Sequence, residues 1–172
     1  MTETPDAVET PSNSHPVEEG RARAEADAAA RGVNIHIVER PAAHSLEEAA
    51  SLLGIQPSDI VKTLVVKRSD GTFVFALVPG GRKISWPKLR ALLAVNKLKL
   101  PDADVAFAAT GYERGTITPF GSTTAWPVVA DATIPGRTIA LGAGAHGYSL
   151  FADADAVLAA YDATVADITD PE

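Results

Sequence analysis

The sequence of 172 residues contains no cysteine, which excludes disulfide bonds, thiolate zinc sites, iron–sulfur clusters and cysteine nucleophiles together. No apolar run reaches the roughly 18 residues of a membrane span, and the acidic start Met1–Asp6 has no apolar core of a secretory signal. The motifs G-x-x-x-x-G-K-[ST], H-E-x-x-H and G-x-S-x-G are absent, and the histidines show no metal-ligand spacing. We therefore expect a cytoplasmic protein with no membrane segment, no metal and no cofactor.

Length and composition predict one folded domain behind a disordered tail. Hydrophobic residues make up 46% of the chain and charged residues 22%, a balance that argues against a wholly disordered protein. Residues 1–17 combine prolines, hydroxyl side chains and acids with almost nothing to bury. We therefore expect a disordered acidic tail over residues 1–17 and a single domain over residues 18–172.

The net charge of −7 conceals an uneven distribution of charge along the chain. Residues 62–99 hold nine Lys and Arg against one acid, a local balance of +8, whereas residues 100–172 hold two bases and ten acids. A segment this one-sided can form an anion-binding face on an acidic protein. The alternative is a set of ordinary solvated lysines on exposed strands and a helix.

Hydrophobic periodicity and capping residues predict helices and strands without regular alternation. Ser45, Ser85 and Asp153 are placed to cap helices, and Ser69-Asp70-Gly71 is typical of a hairpin turn. Helices are predicted over 18–31, 46–53, 86–95, 102–109 and 154–161, and strands over 34–38, 60–66, 73–78, 128–130, 138–141 and 148–151. This order predicts an α+β domain with a mixed or mainly antiparallel sheet.

Lys62 lies in the strongly apolar strand Asp59-Ile60-Val61-Lys62-Thr63-Leu64-Val65-Val66. In a strand it shares a face with Leu64 and Val66. A charged amine at such a position must reach solvent, pair with an acid or face a polar pocket, because an unpaired buried charge is costly. Lys62 is thus either a lysine reaching solvent near a strand start or a fixed cation at a pocket wall.

Two glycine-rich segments could approach a ligand with their backbones. The loop predicted over residues 110–124 contains Gly111, Gly115 and Gly121 together with hydroxyl residues and Pro119. The turn over residues 142–147 follows a strand and can expose consecutive N–H groups, and its His146 could act as a base. The alternatives are a surface turn, a plain tight connection and a solvated histidine.

Together and in this order, these segments resemble the YbaK/EbsC-type aminoacyl-tRNA editing family, relatives of the editing insertion of bacterial prolyl-tRNA synthetase. The resemblance spans residues 34–168, and the pair Val-Lys-Thr-Leu and Thr-Gly-Tyr…Gly-x-x-x-Pro is its most specific part. The segments that carry it are 45–54, 59–66, 76–80, 110–112, 115–119, 142–147 and Val165-Ala166-Asp167-Ile168.

The resemblance implies a central mixed, barrel-like sheet flanked by helices, and a hydrolase that cleaves the ester between a wrong amino acid and the tRNA 3′-terminal ribose. The implied partners are the tRNA acceptor end and a synthetase such as prolyl-tRNA synthetase. It assigns catalysis to Lys62, Gly142 and Gly144. It places the segment that lines the substrate pocket at Gly115–Pro119. The residues of the loop and the turn that we expect to bind substrate are Thr110, Gly111, Tyr112, Gly115, Thr116, Thr118, Pro119 and His146.

This chain departs from some members of that family, which carry a serine near Gly142 and a basic pair where Ala145-His146 stand here. The missing serine argues against a strict specificity for cysteine, so alanyl, seryl, threonyl and non-protein aminoacyl esters join cysteinyl esters as candidate substrates, with tRNA-Pro among the candidate tRNAs. The alternative function is a non-catalytic module that binds a nucleotide or a tRNA end and docks on a synthetase. A third is a hydrolase of small free esters.

Overall fold

The computed structural model describes residues 15–172, with side chains described from Glu19 onward. Of the tail expected over residues 1–17, residues 1–14 lie outside this range. The helix expected from Glu18 begins at His15. The five α-helices of the described range are α1 His15–Ala30, α2 Leu46–Leu53, α3 Trp86–Leu93, α4 Ala103–Thr110 and α5 Ala154–Ala160.

The three predicted helix caps are confirmed. The Ser45 hydroxyl accepts a hydrogen bond from the Glu48 N–H at 3.0 Å, and Ser85 does the same for Lys88. The Asp153 carboxylate accepts from the Ala156 N–H at 3.1 Å. Each bond satisfies a donor that the first helical turn leaves without a partner, so these helix starts are determined locally.

The strands form three sheets. Five strands line up in the order β5-β2-β3-β6-β9, with β2 antiparallel to β3 and β5 and with β3–β6 and β6–β9 parallel. Three strands form the antiparallel sheet β1-β8-β7, and β10 pairs with β4. Their bounds are β1 Ile35–Glu39, β2 Val61–Arg68, β3 Phe73–Pro79, β4 Arg82–Ile84, β5 Leu98–Lys99, β6 Val128–Asp131, β7 Thr138–Gly142, β8 Tyr148–Asp153, β9 Thr164–Ala166 and β10 Thr169–Pro171.

The predicted α+β class with a mixed sheet is confirmed. Between residues 15 and 172 the two larger sheets meet at a parallel bridge from Ile60 to Ala140, without closing into a barrel. Four strands, β4, β5, β9 and β10, were not predicted. They are only two or three residues long, too short for a two-residue periodicity to be read.

The five-stranded sheet separates two apolar clusters. One face packs Val61, Val65 and Leu77 into the larger cluster, and the other packs Val66 and Val74 against α3. Strand β3 is buried at all seven positions, which explains its uninterrupted apolar sequence. The sheet is therefore a fixed platform, and functional side chains can reach solvent only at its ends and edges.

The buried carboxylate of Asp131, at the end of β6, joins two chain segments. It is 1% exposed and accepts hydrogen bonds from Thr133, from the Ile168 N–H at 3.2 Å and from the Thr169 hydroxyl at 2.8 Å. Burial raises the pKa of Asp131, but the hydrogen bonds from Thr133, Thr169 and Ile168 outweigh it and hold that pKa below its ordinary value. The network attaches the C-terminal strands to the central sheet.

We predict that Asp131→Asn destabilises the fold by about 2–4 kcal/mol, because a charged acceptor of several buried donors is lost. Since the pKa of the folded carboxyl is lowered, its contribution is present above the unfolded pKa and is lost as pH falls through the acidic range. Denaturant unfolding at several pH values measures both effects. Equal losses of stability on acidification in the two proteins would contradict the prediction.

Candidate functional site

A cavity of about 470 Å³ opens where the two larger sheets meet. Its walls are the β2 segment 60–65, the end of β7, the residues leading into α4, and part of the loop that follows α4. Strand β5 pairs only with Lys67 and Arg68, so the β2 edge between the Ile60–Ala140 bridge and Lys67 has no strand neighbour within residues 15–172. This open edge forms one wall of the cavity.

Strands β2, β7 and β8 each contribute a lining residue. Ile60 bridges Ala140 in parallel, so the start of β2 lies beside β7. Gly142 in turn pairs with Ser149 on β8. Lys62, Gly142 and Ser149 thus line the cavity from β2, β7 and β8.

Lys62 behaves as the strand pattern predicts. It shares a face with half-buried Leu64 and buried Val66, is itself exposed, and lines the cavity. Its ammonium forms no hydrogen bond or ion pair with the side chains described, those of residues 19–172. A free cation beside apolar strand residues is suited to an anionic or carbonyl ligand.

Two further cations line the same cavity and were not among the predicted site residues: Arg40, which follows β1, and Arg114, in the loop after α4. The Nε of Arg40 donates to the Ser149 hydroxyl at 3.3 Å, and its Nη1 donates to the Pro41 carbonyl at 3.2 Å. No Asp or Glu is among the lining residues. In the sequence, the only signal for Arg114 is its position between Gly111 and Gly115, and Arg40 has none.

Thr63 adds a hydroxyl group to the cavity wall. It is 8% exposed, and its Oγ1 has no hydrogen-bond partner within the described part of the chain. Leaving a buried hydroxyl unpaired costs about 1–3 kcal/mol. A ligand that bonds to this hydroxyl recovers part of that cost.

The glycine turn and the loop after α4 touch through their backbones. The Gly144 N–H donates to the Thr116 carbonyl at 2.9 Å. A Cβ at Gly142 would lie 2.8 Å from that same carbonyl oxygen and still closer to the carbonyl of Ile117. The loop therefore excludes any side chain at position 142, and its Thr116 carbonyl occupies the N–H of Gly144.

The structure divides the predicted site residues among three places. Lys62, Gly115 and Gly142 line the large cavity. A second cavity of about 240 Å³ is lined by the predicted residues Gly111, Thr116, Gly144 and His146. The other four belong to neither lining: Thr110, Tyr112, Thr118 and Pro119, all of them buried.

Internal hydrogen bonds explain why part of the loop is buried. The Thr110 hydroxyl donates to the Ala106 carbonyl at 2.8 Å, and the Tyr112 hydroxyl donates to the Phe120 carbonyl at 2.8 Å. Exposed His146 instead contacts Glu113 at 3.0 Å. Across residues 15–172, no three His, Asp or Glu side chains come together as metal ligands.

Tertiary structure neutralises part of the basic segment 62–99. Lys88 forms 3.0 Å ion pairs with Asp170 and Asp167, which raise the pKa of its ammonium, and Arg82 lies 3.9 Å from Asp131. Other basic residues cluster where β2 meets β5, with Lys67 opposite Lys99. We call Lys67, Arg68, Lys97 and Lys99 the basic edge. Two of its residues adjoin the cavity in the chain, because Lys67 lies on the same strand as Lys62 and Lys99 directly precedes Leu100.

Fold and site together define an α+β domain with a cationic cavity at a junction of two sheets. The chain belongs to the family of aminoacyl-tRNA editing domains, whose model matches residues 40–160, and the predicted resemblance is thereby confirmed. None of the helices in the described range is both long and apolar enough to cross a bilayer.

The similar curated proteins include proline–tRNA ligases. That of Desulfovibrio desulfuricans is 40% identical over 101 residues, 59% of this chain and 17% of the ligase. That of Geobacter sulfurreducens is 38% identical over 109 residues, 63% of this chain and 19% of the ligase. The chain thus spans less than a fifth of the length of either ligase.

Among solved structures, a candidate trans-editing enzyme for prolyl tRNA synthetase has a TM-score of 0.81 at 26% identity. The match covers 88% of this chain and 97% of that one. A hypothetical protein of solved structure has a TM-score of 0.79 at 26% identity, covering 86% of this chain and 99% of its own. Both match almost their full length, so the fold described here also occurs as a separate chain.

We predict that Gly142→Ala destabilises the protein by about 1–3 kcal/mol, because the added Cβ meets backbone carbonyls that cannot move aside cheaply. Thr138→Ala, an exposed change on the same strand, serves as control and should stay within about 0.5 kcal/mol of the parent. Chemical denaturation measures both. A Gly142→Ala protein as stable as the control would contradict the close approach.

Proposed function

We propose that this protein is a trans-acting aminoacyl-tRNA deacylase that hydrolyses the ester of a mischarged tRNA in the cytoplasm, for translation quality control. One observation carries the proposal: Arg40, Lys62 and Arg114 line a cavity without a single carboxylate, at the turn containing Gly142. A tRNA 3′ end brings a phosphodiester and an ester carbonyl, both of which cations and N–H groups stabilise.

Hydrolysis of an aminoacyl ester needs positioning more than a strong nucleophile, because the ester is already activated. A bound water, oriented by the neighbouring ribose hydroxyl, attacks the carbonyl carbon and releases a proton, and negative charge moves onto the carbonyl oxygen. The C–O bond to the ribose then breaks, the ribose oxygen takes up a proton, and amino acid and tRNA leave. Lys62 is placed to hold the terminal ribose–phosphate or the ester region during these steps.

Other groups in the cavity complete the proposed substrate contacts. Arg40 and Arg114 supply charge for phosphate oxygens, and the free Thr63 hydroxyl can bond to a ribose or aminoacyl oxygen. Since the Gly144 N–H is engaged by Thr116, we assign Gly144 to the shape of the turn. Buried Thr110, Tyr112, Thr118 and Pro119 support the loop from behind.

The proposal extends to the identity of the amino acid that is esterified to the mischarged tRNA. The candidates are the esters of alanine, cysteine, serine and threonine, and at position 142 no side chain contacts the aminoacyl group. The relatives named as proline–tRNA ligases favour tRNA-Pro as the tRNA and a prolyl-tRNA synthetase as the partner. The alternative, a non-catalytic module docked on a synthetase, predicts binding of the tRNA end without turnover.

We predict that the protein deacylates at least one of Ala-, Cys-, Ser- and Thr-tRNA, and that Lys62→Met lowers kcat/KM on that substrate by about 100-fold or more. The matched control is Lys83→Met, an exposed lysine on β4 opposite Asp170, which should retain parental activity. Release of radiolabelled amino acid measures both. Binding with no release from any of the four would favour the docking module.

The parent enzyme should be compared on full tRNA, on an acceptor-stem minihelix and on aminoacyl-adenosine. Full activity on aminoacyl-adenosine would identify a hydrolase of small esters instead. Activity that is retained on the minihelix but reduced on aminoacyl-adenosine would support recognition of the acceptor end.

The basic edge predicts a salt-dependent contact with the acceptor stem. Minihelix binding is measured over a range of salt concentrations for the double variant Lys67→Gln/Lys99→Gln. The plot of the logarithm of the association constant against the logarithm of salt concentration should become less steep, its negative slope losing about 2 in magnitude. Activity on aminoacyl-adenosine should not change, since neither side chain lines the cavity. An unchanged slope would remove the basic edge from the RNA-binding surface.

A further inference from the structure

Helix α1 precedes the segment that the family model matches, residues 40–160, yet it contacts both glycine-rich segments of the site. Gly20 packs so tightly on Gly144 that a Cβ at position 20 would overlap the Gly144 carbonyl. The Tyr112 hydroxyl lies 3.4 Å from the Gly20 carbonyl. One helix thus touches the turn after β7 and the loop after α4.

Arg23 of α1 joins the two ends of the loop spanning residues 111–121. Its Nε donates to the Gly121 carbonyl at 3.2 Å, and its Nη2 donates to the Gly111 carbonyl at 3.2 Å and the Thr110 carbonyl at 3.5 Å. The guanidinium also lies over the Tyr112 ring, 4.6 Å from its centre. These contacts cross 87 to 98 residues of sequence.

Asp27, one helical turn after Arg23, strengthens the same attachment. Its carboxylate accepts from the Gly121 N–H at 2.9 Å and from the Tyr161 hydroxyl at 3.1 Å. Burial and the adjacent Asp27 carboxylate raise the pKa of the Tyr161 hydroxyl, so it stays protonated and donates. The Gly121 end of the loop is therefore held through both its N–H and its C=O.

We propose that Arg23 is a positioning residue of the site: by joining the two ends of loop 111–121, it holds Arg114 and Gly115 at the cavity that Lys62 also lines. The proposal rests on the deacylase function proposed above. Arg114 and Gly115 lie at the middle of the loop and line the large cavity, where the reaction is proposed, whereas Arg23 lines the second, smaller cavity. Its effect on the reaction is therefore indirect, through the loop.

Two substitutions separate positioning from simple stabilisation. Arg23→Met removes all three hydrogen bonds, whereas Arg23→Lys keeps the charge over Tyr112 but offers one ammonium in place of a planar fork. The control is Glu25→Gln, whose side chain is exposed and has only a 3.9 Å contact with Arg21. All three are compared with the parent by minihelix deacylation and by hydrogen exchange.

We expect Arg23→Met to lower kcat by about ten-fold in folded protein, because a displaced loop misplaces groups in the transition state. KM for the minihelix should change by less than about two-fold, and Arg23→Lys should recover less than half of the lost kcat. Glu25→Gln should match the parent. Parental kcat in folded Arg23→Met, a loss confined to KM, or full recovery by lysine would each overturn the proposal.

Hydrogen exchange tests the attachment without relying on catalysis. Amides of residues 112–121 should exchange faster in Arg23→Met than in Glu25→Gln, while those of β3 stay protected. Unchanged exchange in the loop would overturn the positioning role. If the parent protein releases no amino acid from any ester, the deacylase proposal fails, and the exchange result still decides whether Arg23 holds the loop.

Discussion

The site depends on one backbone contact, in which the Gly144 N–H donates to the Thr116 carbonyl at 2.9 Å. It holds the turn after β7 against the loop after α4. Neither segment's own sequence indicates that the other will be its neighbour. The large cavity lies between that contact and the open edge of β2. Gly142 has to lack a side chain because the Thr116 and Ile117 carbonyls occupy the space of a Cβ.

The protein is acidic overall, yet its large cavity is cationic, because several carboxylates pair with basic residues or are buried away from that cavity. Asp167 and Asp170 pair with Lys88, and Asp131 is buried among donors at the end of β6. The cavity keeps Arg40, Lys62 and Arg114 without an opposing carboxylate. Anion recognition here is a local property, which fits a ligand end better than an extended nucleic-acid surface.

Most helices and strands were predicted from local sequence patterns. The strands that were missed form only through pairing between distant segments. Ser45, Ser85 and Asp153 cap their helices as predicted, because capping involves residues three positions apart. The strands β4 and β10 escaped prediction because each exists only through the other, across more than 80 residues. Arg40 gave no signal either, since its approach to Ser149 depends on β1 pairing with β8.

Local patterns in the amino-acid sequence were enough to predict the α+β class, the family resemblance and Lys62 as a charged residue that an apolar strand cannot bury, because these rest on periodicity, motif order and desolvation. Which glycine-loop residues line the cavity and which lie behind it depends on contacts that form only in the assembled fold. The fold also adds Arg40 and Thr63 to the cavity lining and Arg23 to the contacts of the loop. The surroundings of all three come from segments distant in the chain. Hydrogen bonding between such segments has no local signature, so it becomes visible only once the sheets are assembled.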